Sequence, residues 1–139
     1  MAHTPDHADL VALVIRSFWL IDHGRAAEVA AFFATDGALT FGRGAPRPGT
    51  IAGAAIAQAM QARQDDKGAT SRHVLSNFLI EPQDDGRVTV RSLMTLFRTA
   101  SDDMTPMVRS VADLIDTFKL RDGEWRIVER QILPIFGLA

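Results

Sequence analysis

The chain changes its hydrophobic period near residue 70. Ahead of that point apolar residues recur at helical spacing, and beyond it they alternate in runs of β-branched and aromatic side chains. In the first half, Val11, Ile15 and Phe18, with Leu10, Leu13, Val14 and Ile21, form a broad apolar stripe. That stripe predicts an amphipathic helix. Thr4-Pro5 reads as its cap and first helical residue, Asp6 and Asp9 suit the positive end of the helix dipole, and Gly24 supplies a stop after about Asp22. An alanine-rich helix is expected over Arg25 to Phe33, closed by a Thr35-Asp36-Gly37 turn, with Ala38 to Phe41 as a short strand. Gly42 to Gly49 is rich in glycine and proline and reads as a loop. Its glycines and arginines suggest an anion cradle, but no Gly-Lys-Ser/Thr follows and no long strand precedes it, so a solvated hairpin loop is the expectation. A third helix is predicted over Ala54 to Arg63, ended by residues 64–68.

Four long strands follow, at about Thr70–Glu81, Arg87–Ala100, Pro106–Leu120 and Glu124–Leu133. Their links are short and polar, as antiparallel hairpins require. Strands this long exceed the usual length, so the sheet must coil or carry bulges. The expected architecture is α+β: a single domain over residues 1–139, in which three N-terminal helices close one apolar pocket on a cone-shaped, strongly curved antiparallel sheet.

Composition narrows the function classes. Hydrophobic residues make up 47% and charged residues 23% of 139, the balance of a globular protein. The net charge of -2, with no basic run, argues against a nucleic-acid partner. The absence of cysteine excludes disulfides, thiolate nucleophiles and Cys-ligated metals, and makes the cytoplasm the expected compartment. The longest apolar stretch, Leu10 to Ile21, is interrupted by Arg16 and Ser17 and is shorter than the ~20 residues that cross a bilayer, so no membrane partner is expected. Nor does the N-terminus show the order of regions of a signal peptide. His3 and His7 have a metal-compatible spacing without a third fixed ligand. No metal and no cofactor is expected.

Gly123-Glu124-Trp125-Arg126-Ile127, opening the last strand, and Arg72-His73-Val74-Leu75-Ser76-Asn77 in the first long one, in this order of elements, resemble the nuclear transport factor 2-like superfamily. Within it the chain is most similar to the SnoaL-like branch, and it resembles scytalone dehydratase-like proteins and the small subunits of ring-hydroxylating dioxygenases. The resemblance covers nearly the whole chain and implies the cone. It also implies that the His–Asn face of the strand looks inward, and that an aspartate at the end of the first helix faces a sheet histidine. Asp22 and His73 match those two positions. Two departures stand out: the chain has no tyrosine, and no second histidine lies in the sheet.

The residues themselves allow two readings. Strand parity places His73, Leu75, Asn77 and Leu79 on one face. Asp22 ends the helix line 11, 15, 18, 22, where a buried carboxylate needs a partner. A His–Asp dyad would suit general acid–base catalysis near neutral pH. The alternative is a local cap at Asp22 and a hydrogen-bonded sheet histidine. On the catalytic reading Asp22 and His73 carry proton transfer, while Asn77, Trp19, Phe18, Leu75 and Phe97 contact substrate. Arg91, Arg109, Asp113, Asp116 and Arg130 are expected mostly on the outer face, with one or two at most in the pocket.

The leading expectation is a SnoaL-like small-molecule protein: a cofactor-free isomerase, cyclase, dehydratase or hydratase, or a binder of such substrates. Its ligand would be small, apolar or polycyclic, of polyketide or steroid-like type. The alternatives are a non-catalytic ligand-binding or assembly subunit, including one like a dioxygenase small subunit, and a transport-factor-like protein. Because both faces of the first long strand are largely apolar and helices cover one, a homodimer through the outer face is expected.

Overall fold

The computed structural model describes residues 6–105 and 107–137. Helix α1, His7–Asp22, is capped by Asp6, whose side chain accepts from the Ala8 N–H. The predicted Thr4-Pro5 cap lies outside the described residues. The buried residues of α1 are Leu10, Val14, Ser17, Phe18 and Leu20. Ile15, expected in the stripe, is 46% exposed. His23 forms the C-cap, with its ring Nδ1 2.7 Å from the Trp19 carbonyl. The alanine-rich segment is a 3-10 helix, Ala26–Phe32, longer than such helices usually run. Helix α2 spans Ala54–Asp65 behind Gly53, which has φ 58°.

Six strands form one curved, open sheet: β1 Phe33–Phe41, β2 Gly49–Ala52, β3 Ala69–Pro82, β4 Val88–Ala100, β5 Val108–Arg121 and β6 Glu124–Gly137. Their order is β2-β1-β6-β5-β4-β3. The β3-β4-β5-β6 meander is antiparallel as expected, but β1 pairs parallel to β6, so the sheet is mixed. Parallel pairing of an early strand with the last one leaves no local signature, because neither strand's own sequence encodes a partner so distant. The Thr35-Asp36-Gly37 turn is instead an irregularity inside β1, where the register with β6 shifts between Phe33 and Ala38. Glycine is required at position 37, since a Cβ there would sit 2.9 Å from the Ala34 and Ile127 carbonyl oxygens. The loop at 42–48 joins β1 to β2, a strand the glycine- and proline-rich sequence concealed.

Helix α1 and the 3-10 helix cover one face of the sheet, and the core lies between them. Leu10, Val14, Phe18, Val29, Val90, Met94, Leu114, Phe118 and Ile127 meet there. Burying side chains of this kind contributes roughly 1.5–3 kcal/mol each. Two bulges decide which side chains join them. On β3, Asn77 and Phe78 together oppose Ser92, and Asn77 has φ 58°. On β6, the register with β5 skips Val128, so Ile127 and Arg130 both face the core, three positions apart. Strict alternation forbids that arrangement. No helix among the described residues is long and apolar enough to cross a membrane.

Candidate functional site

Asp22 and His73 meet where the end of α1 lies on β3. The Asp22 carboxylate reaches His73 twice: Oδ1 is 2.6 Å from ring Nδ1, and Oδ2 accepts from the backbone N–H at 2.7 Å. A third bond comes from the Ser71 hydroxyl, which donates to Oδ1 at 2.8 Å and accepts from Arg63 at 3.0 Å. The Arg72 guanidinium donates to the Asp22 backbone carbonyl. The two side chains are nearly enclosed, with 4% of Asp22 and 10% of His73 accessible.

Burial alone would push the Asp22 carboxyl up. The hydrogen bonds and charge of His73, with the Ser71 hydroxyl, outweigh burial and hold it below its ordinary 3.8. An ionised Asp22 beside Nδ1 favours the tautomer protonated there, which turns Nε2 into the acceptor. Nε2 has no protein partner among the described residues, the state a general base or acid needs. Phe18 packs its ring 4.8 Å from the imidazole, tilted by 43°.

The remaining sequence expectations divide. Phe18 is buried beside His73, and Leu75 packs on the core from the His73 side of β3. Trp19 is 48% exposed and stacks on His23 at 4.0 Å, so it stands on the outer side of α1 rather than in the interior. Phe97 pairs with Arg72 while Leu96 pairs with His73, which puts Phe97 on the face opposite the imidazole. Asn77 and Leu79 leave the His73 face at the bulge; both are exposed, and Phe78 and Ile80 pack inward instead.

Of the strand charges, Arg91 pairs with Glu81 at the surface, and Asp113 and Arg109 are exposed. Asp116 and Arg130 are not. They pair across β5 and β6 at 2.7 and 2.8 Å, with 0% and 2% exposed, and Arg130 also donates to Ser17 at 2.9 Å. The Arg130 guanidinium carbon lies 4.5 Å from the Phe18 centroid, on the same ring that touches His73. Chain-wise alternation could not locate this pair, because the Val128 bulge resets the parity of β6.

Residues 2–131 match the family model described as a SnoaL-like domain. The chain belongs to the SnoaL-like family. Among solved structures, this SnoaL-like chain superimposes on ActVI-ORFA from Streptomyces coelicolor with a TM-score of 0.78 at 19% identity, covering 93% of this chain and 96% of that one. A scytalone dehydratase-like protein of Novosphingobium aromaticivorans gives 0.72 at 16%, covering 91% and 82%. An aromatic-ring-hydroxylating dioxygenase-like beta subunit of the same organism gives 0.76 at 15%, covering 91% and 87%. At these identities the likeness establishes the fold. No curated protein matches the chain.

Proposed function

We propose that this SnoaL-like protein is a cofactor-free acid–base enzyme, an isomerase, cyclase, dehydratase or hydratase, acting on a small apolar or polycyclic ligand of polyketide or steroid-like type. The observation that carries the reading is the enclosed Asp22–His73 pair, 2.6 Å apart, whose Nε2 has no protein partner among the described residues. His73 moves the proton. Asp22 orients the imidazole and compensates its positive charge, and Ser71 and Arg63 fix Asp22. Aromatic and aliphatic side chains around Phe18 and Leu75 favour a flat ligand. General acid–base catalysis of this kind is typically worth about 10²–10⁴-fold.

The reading extends to a cytoplasmic homodimer assembled through the outer face of the sheet, where Val74 and Leu79 on β3 are 50% and 55% exposed. The same exposed face favours a second reading, a non-catalytic subunit docked on a larger partner. Native mass spectrometry of the protein purified from its own host separates the two. A retained small molecule, lost from an Asp22→Ala, His73→Ala double variant, supports the enzyme, whereas a stoichiometric large subunit and no small molecule contradicts it.

A further inference from the structure

Arg63 lies half-buried in the last turn of α2, one hydrogen bond behind the Asp22–His73 pair. Among the described residues it has no carboxylate partner, and its side-chain bond runs from Nη2 to the Ser71 hydroxyl at 3.0 Å. A cation in that turn suits the helix dipole, but an exposed side chain would serve that purpose equally. The bond to Ser71 is more specific. A guanidinium only donates, so it takes a lone pair of Ser71 Oγ and leaves the single hydroxyl proton for an acceptor elsewhere. That acceptor is Asp22 Oδ1 at 2.8 Å, the same oxygen that meets His73 Nδ1 at 2.6 Å. Ser71 is 3% exposed, so little water competes for its hydroxyl.

We infer that Arg63 is a positioning residue of the site: acting through the Ser71 hydroxyl, it supplies the positive charge that keeps the enclosed Asp22 carboxylate ionised while the imidazole of His73 is neutral. This deepens the acid–base reading of the pair and rests on it. A buried carboxylate beside a neutral imidazole is an uncompensated charge, costly unless a cation or several donors meet it. The other charged and titratable groups around Asp22 are engaged elsewhere. Arg72 donates to the backbone carbonyls of Asp22 and Ser71, and the His23 ring Nδ1 meets the Trp19 carbonyl. Arg98, opposite Ser71 on β4, faces Asp66 at 3.4 Å, and Arg25 pairs with Glu28 beside the 3-10 helix. Arg63 is then the cation whose hydrogen bonds lead to the carboxylate. Bonds in series polarise one another, so a charge at the far end strengthens the bond at the near one. The balance at Asp22 agrees: burial raises the carboxyl, His73 lowers it, and the Ser71 bond adds to the lowering. Helix α2 thus acts on the pair without touching either member.

The test follows the Asp22 carboxyl carbon by NMR from pH 2 to 7 in uniformly carbon-13-labelled protein, with the resonance assigned from Asp22→Asn. The variants are Arg63→Met, Ser71→Ala, the two together, and Ser71→Thr, which keeps a hydroxyl. Asp85, whose carboxylate pairs with Arg87 at the surface, is the internal reference, and circular dichroism over the same range checks that each variant is folded. The Asp22 midpoint should rise by about one unit in Arg63→Met and in Ser71→Ala, the size of a hydrogen bond to a charged group. The double variant should rise no further than Ser71→Ala, because both changes cut one route. Ser71→Thr should titrate with the parent, and Asp85 should not move in any of them. A folded Arg63→Met whose Asp22 midpoint is unmoved, or a double variant whose rise is the sum of the two single ones, overturns the assignment. No substrate enters the measurement, so its failure is distinguishable from failure of proton transfer at His73, which isotope exchange reads separately.

Discussion

Replacing Arg130 by methionine should be among the most destabilising single substitutions in the protein. Asp116 is 0% exposed and receives both of its side-chain bonds from Arg130, at 2.7 and 2.8 Å, and the Ser17 hydroxyl loses its donor in the same change. The methionine fills most of the volume, so the cost is electrostatic rather than a cavity. Removing one partner of a buried pair typically costs about 3–5 kcal/mol, because the other charge stays desolvated. Against the roughly 5–15 kcal/mol that holds a domain together, this is about a fifth of the total or more. Urea unfolding followed by fluorescence of Trp19 and Trp125 measures it. With a slope near 2 kcal/mol/M, the midpoint should fall by about 2 M. Adding Asp116→Leu should restore stability to the parent's level or above, since apolar replacement of a whole buried pair is neutral or stabilising by about 1–4 kcal/mol. A loss under about 1 kcal/mol in the single variant, or a double variant no better than the single, would refute the reasoning that the pair is a desolvated unit.

Three further outcomes follow from the geometry. Asp22 has its carboxyl lowered below the ordinary 3.8, so its ionised form contributes stability above that value, and the contribution is lost as pH falls through the lowered one; the stability gap between the parent and Asp22→Asn should be full at pH 6 and shrink below about pH 4, and a gap constant from pH 3 to 7 contradicts this. Asn77 sits at φ 58°, so Asn77→Val should cost about 1–2 kcal/mol more than Asn77→Gly in urea unfolding, and equal costs would mean the bulge does not need the left-handed residue. Light scattering at micromolar concentration should show a dimer that Val74→Glu with Leu79→Lys converts to monomer, and a monomeric parent removes the outer-face interface.

Much of the fold is legible in the sequence because its signals are local. The shift from helical to alternating period at residue 70, the polar hairpin links and the Gly24 stop each act within a few residues, and four strands and three helical segments follow from them. The Asp22–His73 pair is legible through the family resemblance and through the need of a carboxylate on an apolar stripe for a partner. What stayed hidden depends on register. A bulge at Asn77 turns Asn77 and Leu79 outward, and one at Val128 brings Arg130 inward, because a single inserted residue inverts every side chain beyond it. The parallel β1–β6 pairing was hidden for a related reason: it is set by how the meander curves back to the first strand, with no pattern inside β1 to announce it. Helix phase hides the place of Trp19, since the apolar stripe of α1 is wider than its buried part, and Ile15 and Trp19 fall on its exposed flank.

Proton exchange at carbon tests the central claim most directly. A panel of bicyclic and tricyclic aryl ketones, beginning with α-tetralone, is incubated with the protein in deuterium oxide, and wash-in at the carbon beside the carbonyl is followed by NMR. The account predicts catalysed exchange in the parent, a fall of about 10²–10⁴-fold in His73→Gln, and a smaller loss in Asp22→Asn, where the imidazole survives but its tautomer is no longer fixed. Exchange catalysed by the parent and undiminished in folded His73→Gln would contradict it.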